Sequence, residues 1–215
     1  MEILDLKYLF YLAFIVLGYT KYRSTKDEKF LLFSLIGILD ISTNLLNIYV
    51  FKSNLELLLV HNIISIGLYF KFFYSIEKNK YFKKIFISTF FLLSISFVIV
   101  FFLIDWPKSD ISLYSVYGFL NTLEYLNFIF FSSAMCLIIY TILLIKMIKT
   151  DIVKLHLIFI LFGIISYHVG ELIQAGLGVH FLYDIDIHAE FTCNLLTIRL
   201  FTSNGLIITG LLWKN

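Results

Sequence analysis

Four ionisable side chains, Asp40, Glu124, Glu171 and Arg199, fall inside apolar stretches of this 215-residue chain. Charge in hydrocarbon is costly, so such groups pair with one another, line a water-filled cavity or serve a site. Polar neighbours recur at helical spacing around them. Asn44 and Asn47 follow Asp40 at i+4 and i+7. Asn121, Glu124 and Asn127 step by three, and so do His168, Glu171 and Gln174. His61 and Asn62 open one apolar stretch, and Arg199 and Ser203 lie one turn apart in another. Three- and four-residue spacing puts side chains on one helix face. An isolated buried carboxylate either neutralises or finds a cation. Arg199 is the intramembrane cation whose expected depth matches Glu124 and Glu171, so it is expected to pair with one of them.

The elements that must position these groups are seven apolar runs: Leu6–Tyr22, Phe30–Phe51, Leu57–Ile76, Ile85–Ile104, Gly118–Leu144, Leu157–Leu177 and Cys193–Trp213. Each is near the roughly 20 residues that a bilayer core requires. The composition is 60% hydrophobic and 15% charged, against about 25% charged in an ordinary soluble domain. The fold class expected is therefore all-α, an integral membrane bundle of seven transmembrane helices. It forms one transmembrane domain over residues 1–215, with no soluble domain. The first run reads as a retained helix, because Met1–Leu6 carries Glu2 and Asp5 and no basic leader.

Basic residues near helix ends stay cytoplasmic. With the N-terminus outside and the C-terminus cytoplasmic, thirteen of the seventeen Lys and Arg fall on the cytoplasmic side. Lys7, Lys52 and Lys108 fall outside, and Arg199 lies in the membrane. The expected location is the bacterial inner membrane, multi-pass. The basic loops, chiefly Glu77–Lys84 and Lys146–Lys154, are topology signals and also candidate contacts for a cytoplasmic protein partner or anionic lipid. Direct nucleic-acid binding is not expected. Tyr22, Tyr49, Trp106, Tyr183 and Trp213 fall where an interfacial aromatic belt would place them. Cys136 and Cys193 fall at different depths, so no disulfide is expected between them.

With this orientation, five helices bring polar side chains into the outer half of the bilayer. The expectation is a polar pocket opening outward, formed by Asp40, Asn44, His61, Glu124, Asn127, His168, Glu171, Gln174 and Arg199. The same residues could simply hold the bundle together. Interhelical polar contacts contribute about 0.6 kcal/mol each in membrane proteins, and an Arg–Glu pair can serve only to fix register. The segment Gly178–Thr192, with Asp184, Asp186, His188 and Glu190, could cap this face.

These residues bear on several chemistries. A retinal protein needs a lysine inside the seventh helix, where this chain has Arg199 and no lysine before Lys214. Intramembrane zinc hydrolases of the ceramidase type need about four ligands. The candidates are His61, His168, His180 and His188 with Asp40 and Glu171, but no HxxxH pair occurs. The metal and cofactor content thus stays open. LLFSLIGI at Leu31–Ile38 resembles LIFILFGI at Leu157–Ile164, with Gly37 matching Gly163. This suggests a 3+1+3 duplication linked by the fourth helix. SWEET-type sugar transporters share that arrangement. Their hinges depend on prolines, and the one proline here, Pro107, lies in a loop.

GIISYHVG at Gly163–Gly170, the glutamate in the preceding helix and Asn204–Gly205 in the last helix resemble a group of uncharacterised seven-helix membrane proteins of Bacteroidetes-type bacteria. The resemblance implies the architecture and no activity. In size and composition the chain also looks like the small membrane accessory proteins of type VI CRISPR loci, which would imply a role in phage defence. The leading functional expectation is a non-enzymatic sensing or regulatory module with an outward-facing polar pocket. The alternatives are a transporter or oligomeric pore and, after these, a metal-dependent hydrolase.

Overall fold

The computed structural model describes residues 3–49, 55–103, 116–149, 155–181 and 197–213. Side chains are described over most of these, but not at 3–6, 47–48, 55–56, 103, 116–123, 177–181 and 200. Among the described residues all regular secondary structure is helical. The helices are α1 (Ile3–Thr25), α2 (Leu31–Tyr49), α3 (Leu55–Ile76), α4 (Lys80–Leu103), α5 (Val116–Lys149), α6 (Leu155–Phe181) and α7 (Thr197–Leu212). A single 3₁₀ turn, Glu28–Phe30, leads into α2.

Five helices, α2 to α6, contain stretches long and apolar enough to cross a membrane. In α1 the length is sufficient at 23 residues, but Lys7, Lys21, Arg23 and four tyrosines dilute the apolar surface. The described part of α7 is apolar but shorter. The observed helices overrun most of the expected runs. The extreme is α5, whose 34 residues give a rod of about 51 Å. In α6 the helix continues through Gly178 to Phe181, past the expected end at Leu177. Glycine lowers helix propensity by about 1 kcal/mol without forbidding the conformation.

Local chemistry sets the helix ends. The α1 chain stops at Lys26, which adopts φ 57°, while its N–H still donates to the Tyr22 carbonyl at 2.7 Å. Asp27 then accepts from the Lys29 N–H and pairs with the Lys29 ammonium at 2.7 Å. Asn79 caps α4 by accepting from the Tyr81 N–H at 2.8 Å, so α4 begins a turn and a half before its expected start at Ile85.

Sequential helices pack side by side, and α7 returns to α1, closing a ring. Because α3 also touches α5 directly, α4 stands outside that contact. It is the least buried of the five long apolar helices and presents Ile87, Phe91, Val98, Ile99 and Phe102 outward. Lipid gives apolar helices little reason to associate, so close approach has to supply the attraction. A Cβ at Gly37 would lie 2.6 Å from the Tyr11 carbonyl of α1, and one at Gly163 would lie 2.7 Å from the Ser203 carbonyl of α7. The two matched glycines therefore face different partners, the preceding helix in one case and the following helix in the other.

The α1–α2 junction, the α3–α4 junction, the end of α5 and the start of α6 meet around one cavity, so they share one end of the bundle. The Lys21 ammonium donates to the Trp213 carbonyl and brings the end of α7 there too. Lysines 21, 29, 78, 80, 83, 84, 146 and 149 and Arg23 thus collect at that end. Between this end and the opposite half lies a cluster of buried aromatic rings. Phe33 meets Phe72 at 4.8 Å, Phe72 meets Phe73 at 5.1 Å, and Phe73 meets Tyr140 at 5.3 Å between centroids.

Candidate functional site: a charged cavity opposite the basic end

A cavity of about 240 Å³ lies among α1, α2, α3, α5, α6 and α7 on the far side of the aromatic cluster. Its walls carry Lys7 and Tyr11 from α1, Asp40 and Asn44 from α2, and His61, Asn62, Ser65 and Tyr69 from α3. Tyr125 of α5, Tyr167, Glu171 and Gln174 of α6, and Arg199 and Asn204 of α7 complete the polar lining. Phe14, Ile36, Leu58, Leu126, Ile129 and Ala175 supply its apolar surface.

Two charged clusters face this space. In the first, His61 Nε2 lies 2.6 Å from Asp40 Oδ1, joining α3 to α2. The Asn44 amide donates back to the Asp40 carbonyl at 2.7 Å, which aims its Oδ1 at Lys7; the ammonium donates to it at 2.6 Å. In the second, Glu171 is 4% exposed and three hydrogen-bonding partners surround its carboxylate. Ser133 Oγ donates to Oε2 at 2.8 Å, the Asn62 amide donates to Oε1 at 3.2 Å, and His168 Nδ1 lies 3.2 Å from Oε2. The Arg199 guanidinium stands at 3.8 Å, an ion pair without a direct hydrogen bond.

Local backbone explains how Arg199 reaches this position. Residues Leu200–Asn204 form a π turn, which widens α7 directly after Arg199. The Arg199 stem then crosses Gly170, where a Cβ would fall 2.7 Å from Cδ. Its guanidinium rests over the Tyr167 ring at 4.7 Å from the centroid. Gly170 and Tyr167 thus form a track on α6 that delivers the cation beside Glu171.

Of the expected pocket residues, Asp40, Asn44, His61, Glu171, Gln174 and Arg199 line the cavity. His168 is completely buried behind it, hydrogen-bonded to Glu171 and stacked on Tyr140 at 5.8 Å. Glu124 and Asn127 are not part of the lining, and Asn127 is exposed on the outer face of α5. The partner of Arg199 is therefore Glu171. Among the described residues no three His, Cys, Asp or Glu come together as a metal site would need, since His61 and His168 each serve a separate carboxylate. His188, the Asp184/Asp186/Glu190 segment, Cys193, Trp106 and Pro107 lie outside the described residues, and so does the side chain of His180. Cys136 is buried and free.

The sequence reading missed the tyrosines. Tyr11, Tyr69, Tyr125 and Tyr167 converge on the cavity from four helices. The usable signal was spacing, since Tyr11 follows Lys7 by four and Tyr167 precedes Glu171 by four.

A second cavity, of about 440 Å³, opens at the basic end. Thr25, Asp27, Lys29, Glu77, Lys78, Lys146 and His156 line it over an apolar floor that includes Phe30, Phe73 and Leu143. Across it the Lys146 ammonium donates to Glu77 Oε1 at 2.6 Å, and the Asn79 N–H donates to the same carboxylate at 2.6 Å. Burial alone would push the Glu77 carboxyl up. These donors outweigh it and hold the carboxyl below its usual range. His156 is buried in this wall. No protein-family model matches the sequence, and no curated protein or solved structure is significantly similar to it.

Proposed function

We propose that this chain is a multi-pass protein of the bacterial inner membrane that senses or regulates by binding a small polar ligand in an outward-facing cavity. The observation that carries the reading is the cavity itself, where two carboxylates, two cations and four tyrosines share about 240 Å³. Ionisable groups inside a bundle point to function by default, because lipid penalises them. Seven crossings are supported by the packing of α1 and α7 into the same ring as the five long apolar helices. The gathering of lysines at one end supports a cytoplasmic assignment for that end, and hence an N-terminus outside. Exposed Lys78, Lys80 and Lys84 at that end suit a cytoplasmic partner.

The test is ligand-dependent thermal stabilisation of the purified protein in detergent, with Arg199→Leu as control. The reading requires a compound that stabilises the wild type and leaves Arg199→Leu unchanged, while both insert equally. If Arg199→Leu only lowers expression and no compound distinguishes the two, the charges are scaffold. Labelling of single cysteines at residue 3 and residue 80 from outside tests the orientation; only residue 3 should react.

Transport is the second reading, favoured by the 440 Å³ cavity at the opposite end with an aromatic barrier between the two. Solute flux into liposomes that saturates and disappears in Asp40→Asn would select it over sensing. Size in detergent tests for a homo-oligomer, which a pore would need.

A further inference from the structure

We propose that the outer cavity binds a small monocarboxylate with a short apolar or aromatic body, and that Arg199 takes its two oxygens. This rests on the cavity reading above and names the ligand class for it.

The argument starts from an imbalance between donors and acceptors. Glu171 already has Ser133, Asn62 and His168 as short partners, so it does not need Arg199 for satisfaction. Arg199 has no comparable provision. A guanidinium carries five N–H donors in a planar fork. Among the described residues its ion-pair partner is Glu171 at 3.8 Å; its guanidinium lies on the Tyr167 face, its stem crosses Gly170, and Tyr11, Tyr125 and Asp40 stand near enough to act on it electrostatically. Its side chain is 15% exposed and lines the cavity, so the acceptors that complete it must come from the cavity's contents. The group that lacks acceptors is therefore a planar bidentate donor held rigidly at a cavity wall. Its complement is a planar bidentate acceptor, and the carboxylate is the fork-to-fork match.

The other cluster is a poorer match for a planar acid. Asp40 is engaged by His61 at 2.6 Å, and the Lys7 ammonium, a point charge without a fork, already donates to Asn44 at 2.6 Å. The titratable groups that line the cavity with Arg199 are Glu171, Asp40, Lys7, His61, Tyr11, Tyr69, Tyr125 and Tyr167. The tyrosine hydroxyls add donors, while Leu126 and Ile129 present apolar surface to the rest of the ligand. Size limits the ligand further. The cavity's 240 Å³ equals the liquid volume of about eight waters and lies below the roughly 300 Å³ at which drug-sized sites begin.

The experiment measures binding by thermal shift and by calorimetry to purified full-length protein, using benzoate, butyrate, benzamide, butyramide and benzylamine. Benzoate or butyrate should stabilise the wild type, and the neutral amides should bind at least tenfold more weakly. Arg199→Lys keeps the charge and loses the fork, and it should weaken benzoate by roughly ten- to a hundredfold, the range for losing charged hydrogen bonds. Gly170→Ala keeps Arg199 and displaces its stem, so it should weaken benzoate while leaving the protein folded if Arg199→Lys fails to assemble. Equal binding of benzamide and benzoate would overturn the carboxylate assignment and leave cavity binding standing. So would preference for benzylamine, or full affinity in both variants. If none of the five compounds binds the wild type, both the assignment and the cavity reading fail for ligands of this size.

Discussion

Replacing Glu171 by Gln should destabilise the protein more than replacing Arg199 by Met, although the two residues form one ion pair. At 3.8 Å and an effective dielectric of about 20, their Coulomb attraction has a ceiling of about 4 kcal/mol. Without a direct hydrogen bond, the measurable coupling should fall to about 1–2 kcal/mol. The singles differ because their surroundings differ. Met at 199 strands Glu171, but Ser133 at 2.8 Å and Asn62 and His168 at 3.2 Å continue to hold the carboxylate. The expected loss is about 1–2 kcal/mol. Gln at 171 turns an acceptor toward these partners into a donor and leaves a buried guanidinium uncompensated. The expected loss is about 3–5 kcal/mol, the range for breaking a buried pair. Equilibrium unfolding in mixed micelles titrated with sodium dodecyl sulfate gives both singles and the double, and the cycle isolates the coupling. The reasoning is refuted if Arg199→Met costs as much as Glu171→Gln, or if the double mutant loses the full sum of the singles.

The packing and the basic end supply the remaining predictions. Gly163→Ala would place a Cβ 2.7 Å from the Ser203 carbonyl and should cost about 1–3 kcal/mol, whereas Gly205 has open space and Gly205→Ala should stabilise α7 by up to about 1 kcal/mol. The same unfolding assay reads both, and equal effects would contradict the tight α6–α7 contact. Because the folded state holds the Glu77 carboxyl below its usual range, its contribution is present above the unfolded-state value and is lost as pH falls through the folded one. The midpoint of thermal unfolding in detergent should thus fall more on acidification in wild type than in Glu77→Gln; parallel pH profiles would remove Glu77 from the account. Asp40→Asn should weaken the α2–α3 link through His61, read as increased hydrogen exchange at the start of α3 relative to its end.

Most of the fold could be read from the sequence because the physics that selects it is one-dimensional. A run of about 20 apolar residues must satisfy its backbone internally, and the helix is the only way for a single segment to do so. The five long apolar helices overlap the expected runs for that reason, and α1 and α7 overlap theirs as well. Their ends were less legible. The Asn79 cap and the Lys26 turn depend on a few local hydrogen bonds that leave no hydropathy signal. The matched octapeptides are silent on partners in a similar way. Gly37 and Gly163 share a motif, yet close approach occurs to the preceding helix at one and to the following helix at the other. Apolar letters record that a face is packed and do not record against what.

The candidate site shows where helical periodicity stops being informative. Spacing correctly grouped His168, Glu171 and Gln174 on one side of α6, and all three lie at or directly behind the cavity wall. The same spacing grouped Glu124 with Asn127 on α5, yet neither lines the cavity: Glu124 is half-buried and Asn127 is exposed. Periodicity fixes which residues share a face, and the rotation of that face is set by partners. For α5 the rotation follows from Ser133, whose hydroxyl is completely buried against Glu171, and from Tyr140, completely buried against Phe73 and His168. Serine and tyrosine weigh little on a hydropathy scale, so the residues that turn α5 inward were the ones least visible beforehand. The tyrosines of the cavity were hidden for the same reason. An aromatic ring reads as membrane surface until a buried cation such as Arg199 is found resting on it.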